Sequence, residues 1–165
     1  MKNKFDEFSK ILAREQYKHH DEAAHAFGNL MGRIQRIFDV EVGANIIQYG
    51  DEDFRLEDLV LGIKDGVRIP DSSNEGWFAD IHTHPPSVSG LSGQFELKDG
   101  EAVLTTQGYD FILNINKGVN GYVYTVGEKR FGSDGELWFF NAYQFLKDGI
   151  DEKKNVFSRD YQHKR

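Results

Sequence analysis

Residues 77–84, which read WFADIHTH, alternate between two kinds of side chain and end at a pair of prolines, Pro85 and Pro86. Alternation with a period of two predicts a β-strand, and prolines, which lack the N–H that a ladder bond needs, predict where the strand stops. One face of this strand is small or apolar and suits a core: Ala79, Ile81 and Thr83. The opposite face is titratable: Asp80, His82 and His84. The rest of the chain must therefore build a sheet that buries one side of this strand and keeps the other side for polar groups.

Two imidazoles on one strand face can converge on a single ion, a common arrangement for histidine ligands of zinc. The chain has no cysteine, so any metal must be held by histidine, aspartate or glutamate. A His-x-His pair also occurs in strands that bind no metal, and a catalytic zinc needs a third protein ligand. Asp99, which follows a loop of small residues, is a candidate for that ligand. Asp80 is either an outer partner that orients an imidazole or a solvated acid, and the solvated acid is favoured.

The other histidines form no recognisable metal motif. His20 and His25 lie five residues apart, whereas the zinc-binding HExxH helix needs histidines four apart with a glutamate directly after the first. We therefore expect His19, His20 and His25 to be exposed residues at the start of a helix.

Two amphipathic helices are predicted before the histidine strand, around residues 5–12 and over residues 23–38, because apolar residues recur there with a period near 3.6. Asp21 is placed to cap the second helix. Residues 40–49 and 56–63 are rich in apolar and β-branched side chains and are separated by Gly-Asp-Glu-Asp, which predicts two strands joined by a turn.

The pattern after the histidine strand is less regular. Residues 97–106 predict a short helix with Asp99 in its first turn, although Gly100 weakens it. Residues 109–115 and 122–127 predict a hairpin with a glycine-containing loop. Residues 136–149 suit a strand, a helix or one followed by the other, and the charged residues 151–165 predict a frayed tail.

The order of these elements predicts an α+β fold with a mixed, largely antiparallel sheet flanked by helices. With 165 residues, 39% of them hydrophobic, the chain is long enough for one globular domain with its own core. We assign residues 1–150 to this domain and residues 151–165 to the tail.

Charge and hydropathy exclude some partners. A net charge of −7, with no cluster of lysine and arginine before the last few residues, argues against nucleic acid. No apolar run approaches the ~18 residues that a membrane span needs, and the N-terminus is charged where a secretory signal is apolar. These features predict a cytoplasmic protein with no membrane partner. They leave open the oligomeric state and export by a fused or specialised system.

Several stretches resemble, in order, the JAB/MPN superfamily of metalloproteases, whose JAMM motif is a glutamate on an early strand, then His-x-His-Pro, then Ser-x-x-Asp. The matching stretches span roughly residues 21–125 and read DEAAHAF, DVEVGANIIQY, HTHP, FELKDGEA and YDFILNINKGVNGYVY. The likeness is closest to the bacterial JAB-like domains at the ends of polymorphic-toxin and RHS-repeat proteins. The resemblance implies a JAB-like fold.

The resemblance also implies roles for particular residues. It makes His82, His84 and Asp99 the ligands of one zinc ion and Glu41 the general acid and base beside it. Gly43 matches the small residue that the family has beside its glutamate. The alternative for Glu41 is an ordinary strand residue that faces solvent.

The serine of the motif is where the chain departs from the family. Compact spacing makes Ser92 the motif serine but places Phe95, which cannot bind a metal, at the aspartate position. If Asp99 is the ligand, Glu96 takes the serine position, and an ionised glutamate cannot donate a hydrogen bond to a developing oxyanion. Two alternatives are open: Ser92 or Ser89 supplies that donor from the loop, or Glu96 binds the metal or competes for it.

Together these residues favour a zinc-dependent hydrolase of peptide or isopeptide bonds that acts on a peptide or protein substrate with a metal-activated water. The alternative, favoured by the missing serine, is a JAB-fold module that binds metal or a protein partner with weak or no catalysis. The resemblance also permits a toxin-type effector domain.

Overall fold

The computed structural model describes residues 1–86, 117–127 and 135–142 together with Asn114, and the backbone of residues 95–98, 101–104 and 156–160. Within these residues the chain is α+β, as the sequence predicted, with two helices and a mixed sheet. The helices are α1, Lys2–Arg14, and α2, His20–Phe38. No helix in this part of the chain is both long enough and apolar enough to cross a membrane.

Helix α2 forms because apolar side chains recur at helical spacing and are buried together. This buried stripe consists of Ala23, Ala24, Phe27, Met31 and Ile34. The predicted cap was wrong: His19 caps the helix, and its Nδ1 accepts a hydrogen bond from the backbone N–H of Asp21 at 3.1 Å. Asp21 is buried inside the first turn, where the helix dipole favours a negative charge.

The strands of the described residues are β1 (Val42–Gly50), β2 (Asp53–Leu61), β3 (Trp77–His84), β4 (Phe95–Lys98), β5 (Glu101–Leu104), β6 (Asn120–Thr125), β7 (Glu136–Phe140) and β8 (Val156–Asp160). Six of them form one sheet in the order β2-β1-β3-β6-β7-β8. Only β3 and β6 are parallel neighbours in it. The sheet is therefore mixed and largely antiparallel, as predicted. Strands β4 and β5 form a separate antiparallel pair.

The histidine strand β3 lies inside the sheet, between β1 and β6. Its small and apolar face is fully buried: Ala79, Ile81 and Thr83. On the other face Asp80 and His82 are partly exposed, while His84 at the strand end is buried. The alternation predicted from the sequence is confirmed.

Helix α2 approaches the sheet closely because Gly28 and Gly32, one helical turn apart, both face the ring of Tyr124 on β6. That ring is buried, and a Cβ at Gly28 would overlap it. A Cβ at Gly32 would lie 3.0 Å from Tyr124 Cε1, which is also tight. Helix α2 can therefore lie this close to β6 only if residue 28 is glycine.

Gly28→Ala is expected to destabilise the fold by about 1–3 kcal/mol, because the added methyl group forces a buried aromatic ring to move. Urea denaturation followed by circular dichroism measures this change. Gly66→Ala is the matched control, since a Cβ at Gly66 meets nothing within 4 Å. Equal losses of stability in the two variants would mean that the contact with Tyr124 is not the cause.

The helix predicted over residues 97–106 was wrong, because β4 and β5 occupy most of this stretch. Lys98 pairs with Glu101, and the two residues between them in the sequence are Asp99-Gly100. Asp-Gly between strand-forming residues is a strong signal of a two-residue hairpin turn, so the sequence contained a cue that the helix prediction overlooked.

The hairpin predicted from residues 109–115 and 122–127 was also wrong. Strand β6 is present, but β3 and β7 occupy both of its edges along its length, which leaves no edge for residues 109–115. Asn114 has helical backbone geometry, and the other residues of this segment, 109–113 and 115, lie outside the described part of the chain.

Two further predictions concern residues 136–149 and the tail, 151–165, and the structure describes part of each. Of residues 136–149, for which strand and helix were both open, Glu136–Phe140 form β7. The tail was expected to fray, whereas Val156–Asp160 pair with β7 as strand β8.

Candidate metal centre

Adjacent strands bring three predicted site residues together. Strands β1 and β3 are antiparallel, and Gly43 on β1 pairs with His82 on β3. Paired residues share a face of the sheet, as do residues two apart along one strand, so Glu41 belongs to the face of His82 and His84. Each of these three side chains offers one donor atom, and the three atoms lie within 4.8 Å of one another. The alternative in which Glu41 is an ordinary solvent-facing residue does not hold, because Glu41 is only 8% exposed.

The two imidazoles are oriented toward each other. Nε2 of His82 lies 3.0 Å from Nε2 of His84, and the rings meet edge to face with centroids 4.8 Å apart. In a tetrahedral zinc site with Zn–N distances of about 2.05 Å, two nitrogen ligands lie about 3.3 Å apart. The rings therefore need to separate by only a few tenths of an ångström to hold one ion. With a proton on one Nε2, the same pair forms an imidazole–imidazole hydrogen bond.

Burial across the site is uneven. His84 is 3% exposed and Glu41 is similarly enclosed, whereas His82 is partly exposed. A carboxylate removed from water is stabilised by a neighbouring cation. Two imidazoles and a carboxylate are also a donor set that zinc accepts. The residues present thus fit a zinc ion, with His82 on the side that is partly exposed.

The backbone of Glu41 is held on one side by the segment that follows β2. The N–H of Glu41 donates to the carbonyl of Ile63 at 2.9 Å, and the N–H of Gly62 donates to the carbonyl of Glu41 at 2.8 Å. Farther along this segment, Ile69 packs over β1, where its Cγ1 lies 2.5 Å from the position of a Cβ on Gly43. Glycine at position 43 is therefore required for the segment to lie against β1 beside the site.

The other predicted site residues lie outside the described part of the chain. These are the proposed ligand Asp99 and the candidate oxyanion donors Ser92 and Ser89. For Glu96 only the backbone is described, within strand β4. The structure thus joins three of the five predicted site residues and gives no position for Asp99 or Ser92.

Asp80 is not the freely solvated acid that the sequence favoured. It is partly buried, and its Oδ1 accepts a hydrogen bond from Nδ2 of Asn114 at 3.1 Å. The same nitrogen donates to the backbone carbonyl of Asn120 at 3.0 Å. Asn114 thereby connects β3 to the start of β6. Sequence reasoning missed this connection, because Asn114 lies in a stretch that was expected to be a strand.

A second group of potential ligands, His19, His20 and Asp21, lies at the start of α2. Only His19 is exposed, so the expectation of exposure was wrong for His20, which is 18% exposed, and for buried His25. Nδ1 of His20 and Oδ1 of Asp21 both contact the hydroxyl of Tyr122, the second at 2.5 Å.

The donor atoms of this second group are engaged within the protein, since Nδ1 of His19 also accepts the capping hydrogen bond. The positive end of the α2 dipole further disfavours a cation there. We therefore interpret the group as a hydrogen-bonded anchor of α2 on β6.

Comparison of the chain with protein-family models, with characterised proteins and with solved structures finds no match.

Proposed function

We propose that this protein is a zinc-dependent hydrolase of peptide or isopeptide bonds and a member of the JAB/MPN superfamily. The observation that carries the proposal is the convergence of Glu41, His82 and His84 at one end of the sheet, with donor atoms within 4.8 Å of one another. These are three positions of the JAMM pattern. Glu41 and His82 are 41 residues apart in the sequence, so their proximity is a result of the fold.

In this proposal His82 and His84 bind the zinc through Nε2, and Asp99 is the third ligand by resemblance to the JAMM motif. A zinc ion held there would supply a Lewis acid and lower the pKa of a bound water to about 7. The partly exposed side of His82 gives the substrate amide access, while burial of His84 keeps the other side of the site dry.

Glu41 is the residue that moves the proton. Its carboxylate takes a proton from the attacking water and delivers it to the nitrogen of the leaving amine, as a general base and then a general acid. Enclosure of Glu41 supports this role, because water does not compete freely for its oxygens. Its backbone bonds to Gly62 and Ile63 keep it beside the histidines before substrate arrives.

A chelator experiment tests the function. Wild-type protein is incubated with a panel of quenched peptides and of substrates with an amide on a lysine side chain, before and after zinc removal by a chelator. We expect at least one substrate to be cleaved, cleavage to stop on chelation and to return with added zinc. Cleavage that survives complete zinc removal would contradict the proposal, as would a zinc-loaded protein that cleaves nothing on the panel.

The second candidate is a JAB-like module that binds metal or a protein partner without catalysis. The departure from the motif at residue 96 favours it, because Glu96 lacks the hydroxyl that the JAMM pattern has at that position. Full zinc occupancy together with inactivity on the whole panel is the result expected of such a module.

A further inference from the structure

The residue between the two histidines makes connections of its own. Thr83 points away from His82 and His84 into the core and is fully buried. Its Oγ1 accepts a hydrogen bond from the backbone N–H of Val42 at 3.0 Å and donates one to Oε1 of Gln35 at 2.8 Å. Thr83 thus joins β3 to both β1 and α2 at the point where the histidine strand ends.

Val42 is the residue directly after Glu41. The pairing of β1 with β3 ends at Gly43 and His82, and one residue nearer to Glu41 the N–H of Val42 bonds to the Thr83 side chain instead of a strand carbonyl. The hydroxyl group therefore extends the connection between the two strands by one residue. This bond is the described contact that ties the backbone next to Glu41 to the backbone between the histidines.

The direction of both bonds follows from their chemistry. A backbone N–H only donates, so Oγ1 of Thr83 accepts from Val42, and the hydroxyl hydrogen is donated to the side-chain amide oxygen, Oε1, of Gln35. Gln35 is 2% exposed. Hydrogen bonds in such surroundings are stronger than in water, and a partner left without its bond there costs more free energy.

We propose that Thr83 is a positioning residue of the metal centre, which sets the separation between Glu41 and the two histidines through its bond to Val42. Gln35 orients the hydroxyl for this bond. The inference rests on the proposed function in so far as Glu41 acts on the substrate. It matters for rate because a misplacement of about 1 Å at a reacting group costs about 100-fold.

The test compares Thr83→Val, which keeps the shape of the side chain, with Thr83→Ser, which keeps the hydroxyl. We expect Thr83→Val to lower kcat by about 10- to 100-fold with little change in KM and with zinc retained, since both histidines remain. Thr83→Ser should stay close to wild type. A loss of the same size in both variants would overturn the proposal, as would full activity of Thr83→Val.

A second set of variants tests whether Thr83 acts through Glu41. In a Glu41→Gln background, Thr83→Val should have no further effect on kcat, because displacing a residue that has lost its role changes nothing. Undiminished loss in that background would overturn the proposal. Tyr122→Phe is the stability control: it removes the buried hydroxyl that contacts both Asp21 and His20, and should lower stability while leaving kcat unchanged.

Crystal structures of wild type and Thr83→Val separate this inference from the proposed function. We expect the Cα of Glu41 to move by about 0.5 Å or more relative to that of His84 in the variant. If Glu41 moves but the wild type cleaves no amide, the proposed function fails and the positioning role stands. If Glu41 does not move, the positioning role fails whatever the activity.

Discussion

Replacing His84 with alanine is expected to abolish zinc binding. Nε2 of His84 lies 3.0 Å from Nε2 of His82, and His84 is buried, so alanine removes one of the two converging nitrogen donors from the enclosed side of the site. We expect the zinc affinity to fall by more than about 100-fold, which exceeds the 10- to 100-fold effect of losing a partner outside the ligand set. Mass spectrometry of metal content should find about one zinc per wild-type chain and little in His84→Ala.

The second histidine group provides the control for this experiment. His19→Asn keeps a side chain that caps helices well, and it removes one potential ligand of the His19, His20 and Asp21 group. We expect this variant to keep its zinc. Zinc lost in His19→Asn and kept in His84→Ala would locate the ion at the start of α2 instead. A wild-type protein that takes up no zinc would show that the contact between the two histidines is not a metal site.

Glu41→Gln is expected to lower kcat/KM by about 10²- to 10⁴-fold, the usual contribution of a positioned acid or base, while zinc stays bound. Glutamine has nearly the shape of glutamate but cannot accept and return a proton at neutral pH. Steady-state kinetics on a cleaved substrate of the panel and metal content of the same preparation measure both quantities. Glu52→Gln, in the exposed turn between β1 and β2, is the matched control and should match wild type.

The same variant decides between two roles of Glu41, because its carboxylate is close enough to be a ligand itself. If zinc is lost in Glu41→Gln and retained in Asp99→Ala, the ligands are Glu41, His82 and His84, and the proposed proton transfer by Glu41 is wrong. Zinc lost in Asp99→Ala and retained in Glu41→Gln is the result that the JAMM pattern predicts. Metal content alone distinguishes these outcomes, so the comparison does not depend on a good substrate.

The regular elements were the part of the fold that the sequence predicted well. Helix α2 and strand β3 each contain several repeats of one hydrophobic period, and each is buried on the face that the period indicates. Strands β1 and β2 overlap the apolar, β-branched stretches in which two strands were predicted. The α+β class followed from their order. The predictions failed where the local signal was short or depended on a distant partner.

Residues 97–106 and 109–127 show two different reasons for failure. At Asp99-Gly100 the local turn signal was present, and the preference of neighbouring residues for helix was given too much weight. Strand β6, in contrast, was found, but its neighbours were not, because its parallel pairing with β3 joins segments about 40 residues apart. Nothing local encodes such a pairing.

The alternation in residues 77–84 was enough to predict that His82 and His84 share a strand face, since side chains two apart in a strand point to the same side. It also predicted that Thr83 points toward the core. The position of Glu41 beside the histidines and the bonds of Thr83 to Val42 and Gln35 became known from the folded chain alone. These contacts depend on the register of β1 against β3 and on the close packing of α2 against the sheet. Both are set by contacts between segments far apart in the chain.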